Sequence, residues 1–134
     1  MAQPQGNSST SGGRLDGSVG NAVVIGDFAL GVGWGATATV TSVATGSTDT
    51  RGSVTITAGG SGLAQATATV AFTYHDGAFT STPFARVTLT ANSNAVTESA
   101  VPQTQTTTTT VLTWKHNVLP VAAATYTFSW TVIA

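Results

Sequence analysis

From Ala22 to the C-terminus the chain repeats one local theme: threonine, valine and alanine alternate with a period of two. A strand turns successive side chains to opposite faces, so this pattern suits half-buried strands and not helices. Residues 36–45 alternate cleanly. In 52–58, Val54 and Ile56 share one face and Thr55 and Thr57 the other. In 64–74, Ala66, Ala68, Val70, Phe72 and Tyr74 are expected to point inward. In 125–133, Tyr126, Phe128, Trp130 and Val132 line one side, with Thr127, Ser129 and Thr131 on the other. Residues 84–91 read as a further strand. Residues 103–115 read as one long strand carrying five consecutive threonines, and 22–25 are a short apolar run. Residues 26–35 set four glycines around Phe28, Leu30, Val32 and Trp34, which suggests a bent or closely packed segment. Turn signals fall at Gly46-Ser-Thr-Asp49, Gly59-Gly-Ser-Gly62, His75-Asp76-Gly77 and the stretch from Asn92 to Pro102. Six or seven strands without a convincing helix predict an all-β fold, an antiparallel β-sandwich of jelly-roll type over residues 22–134. The final strand is expected to pair centrally in its sheet.

Residues 1–21 are Gly, Ser, Asn, Gln and Pro with few apolar side chains, too few to offset their own ordering entropy. They read as an extended arm, either floppy or laid on a partner. Gln3, Pro4, Gln5, Arg14 and Leu15 are its candidate docking residues. The arm has neither the charged start nor the apolar centre of a signal peptide, and no apolar run approaches the ~20 residues that span a bilayer.

The 134 residues carry nine formal charges, four basic and five acidic, or 7%, where about 25% is usual. Threonine (27) and alanine (20) fill the space. A net charge of −1 offers no basic stripe for nucleic acid and no polybasic patch for a membrane surface. With 41% hydrophobic residues the chain is not of the disordered class. The absence of cysteine excludes disulfides and thiolate chemistry. Threonine occupies outward strand positions where lysine and glutamate normally keep sheets soluble. Thr104, Thr106, Thr108 and Thr110 share one face of the 103–115 strand. Thr106, Thr108 and Thr110 are therefore candidate interface residues, on a surface shared with other copies or a larger assembly.

Reactive constellations are sparse. His75-Asp76-Gly77 and His116-Asn117 read as turns, and no H-E-x-x-H or G-x-S-x-G motif is present. Asp16, Asp27, Asp49, Asp76 and Glu98 are isolated in sequence, which does not favour a paired-carboxylate site. Gly31-Val-Gly-Trp-Gly35 lacks the lysine of a phosphate loop, and its glycines read as packing residues. No cofactor, metal or catalytic residue is expected. Trp130, in phase with Tyr126 and Phe128, reads as core. Trp34 and Trp114 are candidate interface anchors or ligand contacts.

The run 30–40, then Gly46-Ser-Thr-Asp-Thr-Arg-Gly-Ser-Val-Thr-Ile-Thr-Ala-Gly59, the strand after Pro83 and the closing Thr125-Tyr-Thr-Phe-Ser-Trp-Thr-Val-Ile-Ala134 together resemble a β-rich module of structural proteins of tailed bacteriophages, notably those of actinobacteria. The closing run departs from that pattern in its final Ala134, where the family has glycine. Gln3-Pro-Gln-Gly-Asn-Ser8 is similar to a stretch in the arm of lambda-type capsid decoration proteins. The resemblance implies a non-enzymatic, trimer-forming sandwich on a virion surface, assembled in the host cytoplasm. It implies no catalytic residues. The expected function is capsid decoration, with the arm on the major capsid or another virion protein and the sandwich trimerised above it. The alternative is the receptor-binding head of a tail or head fibre, contacting host glycan through exposed aromatics.

Overall fold

The computed structural model describes residues 21–93 and 103–134. Eight strands are described: β1 (Phe28–Leu30), β2 (Thr39–Val43), β3 (Arg51–Thr57), β4 (Thr69–Thr73), β5 (Phe84–Asn92), β6 (Thr104–Thr107), β7 (Val111–Lys115) and β8 (Thr125–Ile133). They form two four-stranded antiparallel sheets, ordered β1-β4-β7-β6 and β2-β3-β8-β5. Among the described residues the helical elements are two 3₁₀ turns, Ile25–Asp27 and Gln65–Thr67. The chain is therefore an all-β sandwich. Side-by-side strands such as β1 and β4, or β5 and β8, are three apart in sequence and cross between the sheets. The two sheets form the expected antiparallel sandwich.

The alternation dictates the core. In β8, Tyr126, Phe128, Trp130 and Val132 are buried, and they face Phe28, Phe72 and Trp114 of the other sheet. Phe72 lies 4.9 Å from Trp130 and Trp114 5.6 Å from Phe128, ring centre to ring centre. Burying each such side chain contributes roughly 1.5–3 kcal/mol. The ion pair found among the described residues, His75–Asp27, is partly exposed, and pairs of that kind contribute ~0–1 kcal/mol. The aromatic core, not charge, holds the sheets together. The edges are managed separately. Gln105 Oε1 accepts a hydrogen bond from Val87 N, and Thr107 Oγ1 donates to Pro83 O, which ties edge strand β6 to edge strand β5. Bulges between Val40 and Ser42 in β2 and between Leu89 and Ala91 in β5 disturb both edges of the second sheet, which hinders edge-to-edge pairing.

Several expectations are corrected. Residues 103–115 are two strands joined by a tight turn. Thr108 Oγ1 accepts hydrogen bonds from Thr110 N and Val111 N, so a hydroxyl does the work usually given to asparagine or aspartate. The short apolar run 22–25 is largely outside the core: Val24 and Ile25 stand half exposed, Ile25 as the first residue of a 3₁₀ turn. The strand expected over 36–45 shortens to Thr39–Val43. Ala66 is exposed within the second 3₁₀ turn; inward alternation begins at Ala68. Of the proposed arm only Asn21 is described; Gln3, Pro4, Gln5, Arg14 and Leu15 lie outside the described residues. Asn21 donates from N and from Nδ2 to the two Asp76 carboxylate oxygens, at 3.2 and 2.8 Å, so it is attached to the sandwich.

Candidate functional site

Trp34 and Trp114, expected as surface anchors, are both fully buried. Residues 31–35 lie against 64–69 closely enough that the Trp34 indole turns into the core. There its Nε1 donates to Thr69 O at 3.0 Å, and its ring stacks on His116 and meets Tyr126 edge-on. Trp114 sits opposite Val70 in β4 and packs on Phe128. Its Nε1 is buried without a hydrogen-bond partner among the described residues. Neither ring is accessible to a ligand or a neighbouring subunit. His116 is likewise core rather than turn: it is fully buried, with Nδ1 3.3 Å from Gln103 Oε1.

Three carboxylates that are isolated in sequence converge on the 75–77 turn. Asp49, fully buried, accepts hydrogen bonds from His75 N at 2.6 Å and Asp76 N at 3.0 Å. Asp27 Oδ2 accepts from Val24 N and lies 2.9 Å from His75 Nδ1. Asp76 holds Asn21. Backbone and side-chain donors of residues 21–24 and 75–76 meet these oxygens, so the cluster ties together three chain segments, 21–27, Asp49 and 75–76. Among the described residues no group of three His, Cys, Asp or Glu is placed to hold a metal ion.

The outer sheet faces are the other candidates, and they differ. Strand register places Ala29, Ala71, Thr113 and Thr106 in one row across β1, β4, β7 and β6. Thr69, Lys115 and Thr104 form the row on one side of it, and Thr73 with Val111 the row on the other. This face carries small and hydroxyl side chains and is almost uncharged. Thr106 lies on it, while Thr108 and Thr110 belong to the turn at its end.

On the second sheet, Arg51 and Arg86 flank Thr131 across β3, β8 and β5. Ser53, Ser129 and Thr88 make the next row, followed by Thr55 and Thr127, whose hydroxyls lie 2.9 Å apart. At the other side of the arginine row stand Phe84 and Ile133, directly opposed and 80% and 64% exposed. Two shallow depressions mark this face. One, of about 310 Å³, lies between the turn of residues 44–47 and Arg51, Gly52 and Ser53, and reaches Ser129. The other, of about 350 Å³, is lined by Phe84, Ala85, Arg86, Thr131 and Ile133. Composition points to hydroxyl-rich surfaces; the distribution of arginine and alanine between them depends on register between strands far apart in sequence. No family model, curated protein or solved structure matches the chain.

Proposed function

We propose that this chain is a non-enzymatic structural subunit of a bacteriophage virion surface, a capsid decoration protein that assembles as a trimer. The observation that carries the reading is the small-residue Ala29–Ala71–Thr113–Thr106 face, where Lys115 is the sole charge in the three rows described. Small side chains and hydroxyls allow a second β-surface to approach closely and pack by methyl and hydroxyl contact, and a symmetric oligomer multiplies each weak contact. The phage resemblance of the 30–134 region supplies the setting. Residues 1–20 precede Asn21, which is fastened to the sandwich, and are the proposed attachment to the capsid shell.

Sedimentation of the full chain is expected to show a three-chain mass at micromolar concentration. Ala71→Arg plants a charge and bulk in the middle of the face. Like-charge juxtaposition across an interface costs several kcal/mol, so this variant is expected to sediment as a monomer with an unchanged far-UV spectrum. A monomeric wild type, or a trimeric Ala71→Arg, refutes the interface. Deleting residues 1–20 is expected to leave the trimer intact and to abolish recovery of the protein on purified capsids. Wild-type occupancy by the truncated chain rules out attachment through that segment.

A further inference from the structure

We propose that the outer face of the β2-β3-β8-β5 sheet is a binding site for a carboxylate-bearing saccharide, with Arg51 and Arg86 as the charge-recognising residues and Phe84 as the apolar platform. This site is distinct from the small-residue face proposed for self-assembly and does not depend on it.

Charge supplies the first part of the argument. Among the described residues the basic side chains are Arg51, Arg86 and Lys115, and two of the three stand in one row, on either side of the Thr131 hydroxyl. Neither guanidinium has a carboxylate partner among the described residues, where the ion pair is His75–Asp27. Asp27, Asp49 and Asp76 are all gathered at the 75–77 turn instead. Neighbouring strands lie about 4.8 Å apart, so the two arginines rise about 10 Å apart at their bases with the hydroxyl between them. A guanidinium presents a planar fork of donors that matches a carboxylate in two parallel hydrogen bonds. The sign of the face, the pairing and the lack of a carboxylate partner among the described residues all select an anion.

The rest of the face selects a sugar. A bare inorganic anion needs only the arginine row. Beside that row lie the Ser53, Ser129 and Thr88 hydroxyls, each able to donate and accept, as the hydroxyls of a pyranose require. On its other side Phe84 is 80% exposed, and an aromatic ring standing in water next to Ile133 offers a surface for the C–H face of a sugar. The two depressions lie on opposite sides of β8 and each reaches it, one at Ser129 and the other at Thr131. They can therefore seat adjacent residues of one oligosaccharide. Nucleic acid is disfavoured because two arginines on a chain of net charge −1 do not make the basic stripe that a phosphate backbone requires.

The test is a titration of the full, isotopically labelled chain with trigalacturonate, followed by amide shifts and calorimetry. Three reference titrations use the fully methyl-esterified trisaccharide, inorganic phosphate, and trigalacturonate at high salt. Expected are shifts centred on Arg51, Arg86, Ser129 and Thr131, loss of binding with the ester, and weakening by salt. Arg86→Gln is expected to weaken binding about tenfold, the loss of roughly one charge-assisted contact. Phe84→Ser is expected to weaken it with the far-UV spectrum unchanged, since Phe84 is outside the core. The monomeric Ala71→Arg variant is expected to bind as the wild type does, so a failure of the trimer reading and a failure of this site are told apart. Absence of shifts at millimolar trigalacturonate, equal binding by the ester, or an unaffected Arg86→Gln overturns the proposal. Identical shifts at equal concentrations of phosphate overturn the assignment to a saccharide.

Discussion

Asp49→Ala is expected to destabilise the folded domain by about 3–6 kcal/mol, at ~1.5–3 kcal/mol for each of two hydrogen bonds to a charged acceptor. The carboxylate is fully buried and takes the amides of both His75 and Asp76. Removing it leaves those two donors facing a methyl group. The damage extends further because Asp49 belongs to the loop that holds the core: Thr48 O accepts the indole hydrogen of Trp130 at 3.0 Å, and Ser47 O accepts from Val23 N. Single domains are stable by about 5–15 kcal/mol, so the loss is a large share of the whole. Asp49→Asn keeps one acceptor and turns an amide donor toward a backbone donor, and is expected to fall between wild type and alanine. His75→Ala touches the same cluster but removes only the partly exposed contact with Asp27, for which under about 1 kcal/mol is expected. Urea denaturation of the three variants checks the order. An Asp49→Ala midpoint equal to that of His75→Ala shows that the buried carboxylate is not the lock.

The fold was legible wherever one face of a strand is apolar and the other hydroxylic. Residues 125–133 show this best: four buried and five less buried positions alternate without a fault, and a strand with that pattern belongs inside a sheet, where β8 lies between β3 and β5. Legibility failed where threonine occupies both faces and the turn. In 103–115 the hydroxyl of Thr108 closes the turn, and nothing distinguishes Thr108 from its four identical neighbours in sequence. Alanine is the other ambiguous residue. It suits a core, a flat outer face and a 3₁₀ turn, and Ala68, Ala71 and Ala66 occupy one of each.

The sites were legible to the extent that local phase carries them. Trp130 shares the phase of Tyr126 and Phe128 and reads as core. Trp114 carries the same signal, since Leu112, Trp114 and His116 alternate and all three are buried; its place at the end of a threonine run masked it. The convergence of Asp27, Asp49 and Asp76 on one turn brings together segments 26 to 48 residues apart. The Arg51–Thr131–Arg86 row requires the register of three strands at once. A side chain's neighbours across a sheet follow from long-range pairing, which is why the threonine count indicated a hydroxyl-rich surface without dividing it into a small-residue face and an arginine-bearing face.

The same long-range packing makes a single added methyl group costly at Gly33. Gly33→Ala is expected to cost at least about 3 kcal/mol, the upper range for overpacking a core. A Cβ at this position would lie 2.1 Å from Ala64 O and 2.5 Å from Ala68 N, both backbone atoms that no rotamer change can move aside. Gly33 N donates to Thr67 O, and Gly33 O accepts from Ala64 N, so the two segments are hydrogen-bonded across the very gap the methyl must enter. Separating them pulls on the next residue, Trp34, whose indole reaches Thr69 O and packs on Tyr126, Phe128 and His116. Loss of stability is therefore expected together with a red-shifted tryptophan emission and a weaker near-UV spectrum. Gly26→Ala is the matched control. Its Cβ meets nothing within 4 Å, so it is expected to stay within about 0.5 kcal/mol of wild type, as surface substitutions do. If the two variants unfold at the same urea concentration, the close approach of 31–35 to 64–69 is not what seats Trp34 in the core, and the glycine spacing around it has some other cause.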